Sequence, residues 1–187
     1  MKKNLTLSVS ALLLALSSLS AHAVDANINF SGNVSSGTCT LNAADAAKTL
    51  ALPDVSPQTL YNAGSNAYQT YNASGSFNFT NCPEGLTKVT SKYIYNGFLV
   101  SNFSGTAYAA GDAQNIGLIL MQSPTASSAN IVNVNGSSSV VNETPIIANA
   151  ASVPVTVGIA PYSPNGDNAV PTVGQYTGTY TVSFTYS

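Results

Sequence analysis

From Ala26 the chain alternates apolar and polar positions. Ala26, Ile28, Phe30, Gly32 and Val34 fall on one face, and Asn27, Asn29, Ser31 and Asn33 on the other. A period of two predicts a strand with one face to bury. Further strands are predicted over residues 76–80, 87–95, 116–121, 131–134, 153–159 and 176–186. In the last of these Tyr180, Val182, Phe184 and Tyr186 share a face. Clusters of Gly, Pro, Asn and Ser separate the runs, including residues 161–166 and long Asn/Ser-rich loops between Tyr61 and Ser76. No long stretch keeps a period of 3.6, and the Ala-rich run from Ala43 to Ala47 is too short for more than a turn of helix. The number and spacing of strands predict an all-β sandwich without internal repeat or second domain.

The first residues stand apart from this pattern. Lys2 and Lys3 precede an apolar run from Leu5 to Leu16, and Ala21-His22-Ala23 forms an A-x-A cleavage site. This is the layout of a secretory signal peptide over residues 1–23, with Val24 as the new N-terminus. The run is short for a membrane anchor and polar serines follow it. Composition then narrows the chemistry. Charged residues make up only 6% of the chain against 44% hydrophobic, which excludes a highly charged disordered protein. There is no arginine, and after cleavage three lysines face seven acids, a formal net charge of −4. That balance excludes a basic nucleic-acid binder, so no nucleic-acid partner is expected.

His22, the sole histidine, is lost with the leader, so no Ser-His-Asp arrangement is available and no catalytic residue is assigned. The acids Asp25, Asp45, Asp54, Glu84, Asp112, Glu143 and Asp167 are isolated along the chain and read as solubilising loop charges, although a carboxylate pair can still form in space. Nucleotide-binding fingerprints are absent, no cofactor is implied, and the expectation is a protein that is not an enzyme. Cys39 and Cys82, an even pair in an exported chain, read as one disulfide. The alternative, a metal site, lacks partner ligands. Closing that loop contributes roughly 3 to 4.5 kcal/mol in the chain-entropy model.

The apolar face of the first strand must be covered. It is either the first strand of the chain's own sandwich or a strand laid in another subunit's groove. In the second case main-chain bonds supply affinity and pockets for alternate side chains supply register. Gly32 interrupts the bulky row, leaving room for a side chain of an acceptor or marking a bend.

Four segments, in order and with the cysteine pair, resemble the type 1 fimbrial protein family, the pilin subunits of the chaperone–usher pathway. They are the alternating stretch ANINFSGNV ahead of Cys39, Phe77-Asn-Phe-Thr-Asn-Cys82, Asn115-Ile-Gly-Leu-Ile-Leu120, and the C-terminal run from Gly174 to Ser187 with Tyr186 penultimate. The resemblance covers essentially the whole precursor. It implies an incomplete immunoglobulin-like β-sandwich completed by a donated strand, with residues 24–34 as the N-terminal donor-strand extension and residues 35–187 as the pilin domain. It also implies that Ala26, Ile28, Phe30, Gly32 and Val34 enter a neighbour's groove. Gly174, Tyr180, Val182, Phe184 and Tyr186 would form the groove strand and the chaperone and usher recognition signature. The implied partners are a periplasmic chaperone, an outer-membrane usher and neighbouring pilin subunits. The implied destination is a cell-surface fimbrium reached through the periplasm. The implied function is a structural pilus subunit supporting cell adhesion. The alternative is a minor adaptor or adhesive subunit that binds host glycans through Tyr61, Tyr68, Tyr71, Tyr93, Tyr95 or Tyr108.

Overall fold

A computed structural model describes residues 37–101, 103, 105–135 and 142–187; the leader and the alternating segment 24–34 lie outside the described residues. Ten strands are assigned among them: β1 (Thr40–Leu41), β2 (Asn72–Thr80), β3 (Lys88–Tyr95), β4 (Thr106–Tyr108), β5 (Ala110–Gly111), β6 (Gly117–Met121), β7 (Asn142–Pro145), β8 (Ala151–Ala160), β9 (Tyr176–Thr177) and β10 (Tyr180–Tyr186). They form an antiparallel five-stranded sheet in the order β1-β2-β8-β6-β4, a three-stranded sheet β10-β3-β7 and a small β5-β9 pair. This is an incomplete immunoglobulin-like sandwich.

Alternation decides which side chains meet between the sheets. On β3, Val89, Ser91, Tyr93 and Tyr95 are buried while Lys92 and Ile94 face out. β8 is buried on nearly every residue because a second layer covers its outer side. That layer is a helix, α1 (Pro57–Ala63), followed by a 3-10 segment Gly64–Gln69, which together bury Leu60, Ala67 and Tyr68. The expected loop between Tyr61 and Ser76 is thus corrected to the end of α1, the 3-10 segment and the start of β2. α1 has a full set of end signals: the Ser56 hydroxyl accepts from the Thr59 N–H at 3.1 Å, Pro57 opens the first turn, and Gly64 closes it at φ 67°.

Other expectations need correction. Residues 131–134 join no ladder among the described residues. Ile131 and Asn135 make single bridges to β6 and β3, and Val132 and Val134 are buried as the segment crosses between the two sheets. The strand expected over residues 176–186 is split at Gly178 and Thr179, where the chain changes partner from β5 to β3. A Cβ on Gly178 would lie 2.1 Å from the Leu118 Cδ1, so the change of partner depends on a residue without a side chain. β4 and β7 were not foreseen.

A second core cluster surrounds the Cys39–Cys82 disulfide, with Phe79, Val89 and Val153 fully buried beside it. The β7–β8 turn docks on this end: Cys82 N–H donates to the Asn149 carbonyl at 2.9 Å, and the Asn149 amide donates to the Cys82 carbonyl at 2.8 Å. Both central turn residues are left-handed, Ala148 at φ 51° and Asn149 at φ 59°. Asparagine tolerates that geometry, whereas alanine is strained in it. Ala148→Gly is therefore expected to stabilise the domain by about 1 kcal/mol. A urea midpoint that stays put or falls in this variant contradicts the assignment of strain.

Candidate functional site

A groove of about 580 Å³ opens on the sandwich. Its floor is apolar: Phe77 of β2, Tyr93 of β3, Leu118 and Leu120 of β6, and Val155 and Val157 of β8. One wall is the extended segment carrying Lys48, Leu50 and Leu52, and the other runs from Gly174 to Tyr180 and Val182.

Both walls present unpaired backbone. Among the described residues β10 is an edge strand, bonded to β3 from Tyr180↔Tyr95 to Tyr186↔Val89 and to no strand on its other side. Residues 47–55 form no backbone–backbone hydrogen bond with any described residue. The inward residues of β10, Tyr180, Val182, Phe184 and Tyr186, are only half-buried, while Thr181, Ser183 and Thr185 face out. These four share the predicted face, and the described residues cover it only in part. Two edges whose outward N–H and C=O groups find no strand among the described residues, over an apolar floor, make a slot with the chemistry to accept one more strand.

Short side-chain contacts fix the first wall. The Asp45 carboxylate, 5% exposed, accepts from the Asn78 N–H at 2.7 Å and from its amide at 3.0 Å, and pairs with Lys48 at 2.7 Å. The reading of Asp45 as a solubilising loop charge is thereby corrected. It ties the start of the wall to β2. At the other end the Tyr176 hydroxyl crosses the groove and donates to the Pro53 carbonyl at 2.9 Å. The Lys48 ammonium lowers the Asp45 carboxyl below the usual range; burial opposes this and the Asn78 bonds reinforce it. A depressed carboxylate contributes stability that is present above its unfolded pKa of about 4 and is lost as pH falls through the lower folded value. Asp45→Asn is expected to cost about 1–3 kcal/mol at neutral pH, and the gap to the parent should shrink below about pH 4. Urea midpoints at the two pH values check this; a gap independent of pH contradicts it.

Gly174, Tyr180 and Val182 line the groove. Gly174, at φ 155°, lies against the 112–113 backbone, where a Cβ would come within 2.6 Å of the Ala113 nitrogen. Phe184 and Tyr186 continue the same strand past the groove and pack edge-on against Phe79, with ring centroids at 4.8 and 5.9 Å. The Tyr180 ring lies 5.0 Å from that of Tyr95, and its buried hydroxyl has no hydrogen-bond partner among the described residues. Desolvation pushes the Tyr180 phenol strongly upward and that of Tyr93 up to about 12, so both stay neutral. The residues sequence reasoning missed are those of the first wall. Their alternate leucines, Leu50 and Leu52, were the available signal. Of the tyrosines weighed for glycan contact, Tyr68, Tyr93 and Tyr95 are buried. Among the described residues no three His, Cys, Asp or Glu side chains gather as a metal site.

Neither a family model nor a curated protein sequence matches the chain. Solved structures do. A chain of a chaperone–usher pilus, from a structure concerned with rod uncoiling, is 16% identical over 88% of this chain and 97% of its own, at a TM-score of 0.60. The P pilus rod subunit PapA is 15% identical over 81% of this chain and 100% of its own, at a TM-score of 0.58. The likeness establishes a shared fold.

Proposed function

We propose that the chain is a structural subunit of a chaperone–usher pilus that polymerises head to tail by donor-strand exchange and supports cell adhesion. The observation that carries this reading is the groove: an apolar floor between the outer edge of β10 and segment 47–55, neither of which has a strand partner on that side among the described residues. Residues 24–34 have the matching pattern. The groove is lined on that side by Gly174 to Tyr180 and by Val182, over an apolar floor, and the segment offers Ala26, Ile28, Phe30, Gly32 and Val34 on one face. Burying Ile28, Phe30 and Val34 contributes roughly 1.5 to 3 kcal/mol each. Ladder bonds add about 0.5 to 1.5 kcal/mol apiece. A contact between a segment and a different patch of the next copy is heterologous, so it propagates as a filament and does not close into a ring.

An open groove is an aggregation hazard until it is covered. A periplasmic chaperone covers it first by lending a strand, and an outer-membrane usher then hosts the exchange for the neighbour's extension. Gly174 and Tyr186 serve chaperone and usher recognition. On this reading the leader directs export to the periplasm, and the assembled fibre is displayed as a surface fimbrium. When the precursor is expressed in a periplasm, soluble subunit is expected only with the cognate chaperone. Equal recovery of a stable monomer without it contradicts the proposal.

A further inference from the structure

We infer that consecutive subunits meet in a second, apolar contact beyond the donated strand, in which the Ile147 turn of one domain seats on the Val170–Val173 loop of the next. The inference rests on the strand-exchange reading above. Val173 is 85% exposed, Val170 48% and Ile147 70%. None of them sits on a loose tip. Thr172 N–H donates to the Gln114 carbonyl at 3.2 Å, Gln114 N–H donates to the Thr172 hydroxyl at 2.8 Å, and the Asn115 amide donates to the Val170 carbonyl at 3.0 Å. Ile147 stands at the base of the turn bonded to Cys82, with its own N–H donating to the Ala150 carbonyl at 2.8 Å. Single exposed apolar side chains are ordinary. What distinguishes these three is where a fibre would place them.

The two patches lie at opposite ends of the domain. β10 runs from the Gly174 end of the groove towards Tyr186, which packs on Phe79 in the disulfide cluster. Gly37, the first described residue, lies beside Pro83, so the N-terminal segment leaves from the disulfide end, the end that carries the Ile147 turn. Consider the segment seated in a neighbour's groove. If Val34 lay at the disulfide end of the acceptor, the donor domain would occupy the place from which the acceptor's own segment departs. Val34 therefore lies at the Gly174 end, and the strand runs antiparallel to β10. From Val34 to Cys39 the chain spans at most about 17 Å. The disulfide end of the donor is thus held against the Gly174 end of the acceptor. There Val173 and Pro171 border a small pocket of about 90 Å³ that shares Gly174 and Tyr176 with the groove, so the surface is continuous with the strand's own site.

The test uses full-length subunits assembled with chaperone and usher, carrying p-benzoylphenylalanine in place of Val173. Before irradiation, a ladder on an unheated SDS gel reports the seated strand. After irradiation the expected result is a ladder that survives boiling, with the cross-linked peptide containing Ile147. Ile147→Asp should remove that cross-link and leave the unheated ladder intact. A heat-labile ladder with cross-links elsewhere, or with none, overturns the second contact and leaves strand exchange standing. Absence of any ladder before irradiation overturns both.

Discussion

Replacing Phe30 with aspartate should abolish fibres while leaving the chaperone-bound subunit at its normal level. The reason is the floor the side chain must meet. Leu118, Leu120, Val155 and Val157 provide no hydrogen-bonding side chain, and the one cation among the groove-lining residues, Lys48, is already paired with Asp45. A carboxylate carried into that slot is either buried without a partner or forced to take up a proton. Transferring even a neutral polar group unpaired costs roughly 2–7 kcal/mol, comparable with everything Ile28 and Val34 contribute by burial. The acceptor groove of the variant is unchanged, so chaperone capture persists. Polymer on electron micrographs of the Phe30→Asp strain would refute residues 24–34 as the donor.

The second large effect is at the disulfide. Cys39→Ser is expected to cost about 2–5 kcal/mol and to deplete the subunit even with chaperone present. The bond holds more than a loop. β1 is two residues long, pairing only Thr40 with Thr80 and Leu41 with Phe79, and the groove wall follows directly from it through Asp45 and Lys48. With the Cys39–Cys82 link gone, β1, the Asp45 cluster and the Tyr176–Pro53 bond are left to hold that wall. The measurement is the urea midpoint of the purified chaperone complex, together with periplasmic yield. A midpoint equal to the parent's would show that the wall is secured elsewhere.

The sandwich was legible because period-two alternation survives wherever one face is buried. β3 and β10 show it directly, and the face shared by Tyr180, Val182, Phe184 and Tyr186 was read correctly. What the sequence hid follows from specific physics. α1 has only seven residues, too few to display a helical period, yet Ser56-Pro57 and Gly64 marked both of its ends. Residues 131–134 are as apolar as a strand, but they bury Val132 and Val134 while crossing between sheets, and periodicity cannot distinguish the two. The break at Gly178 depends on Leu118, which is distant in sequence. Half of the groove was visible in β10 and the cysteine pair. The other half, residues 47–55, carries no regular structure, so no hydrophobic period marked it.

The central claim is that this domain is completed by a strand from another copy. The most direct measurement is a gel of surface-extracted protein run in SDS with and without boiling. A seated strand dissociates only when a whole ladder opens at once, so its persistence is kinetic. The account predicts a ladder of multimers in the unheated lane that collapses to a single subunit on boiling. A single subunit band in both lanes, from protein that is folded and monomeric on a sizing column, would contradict it.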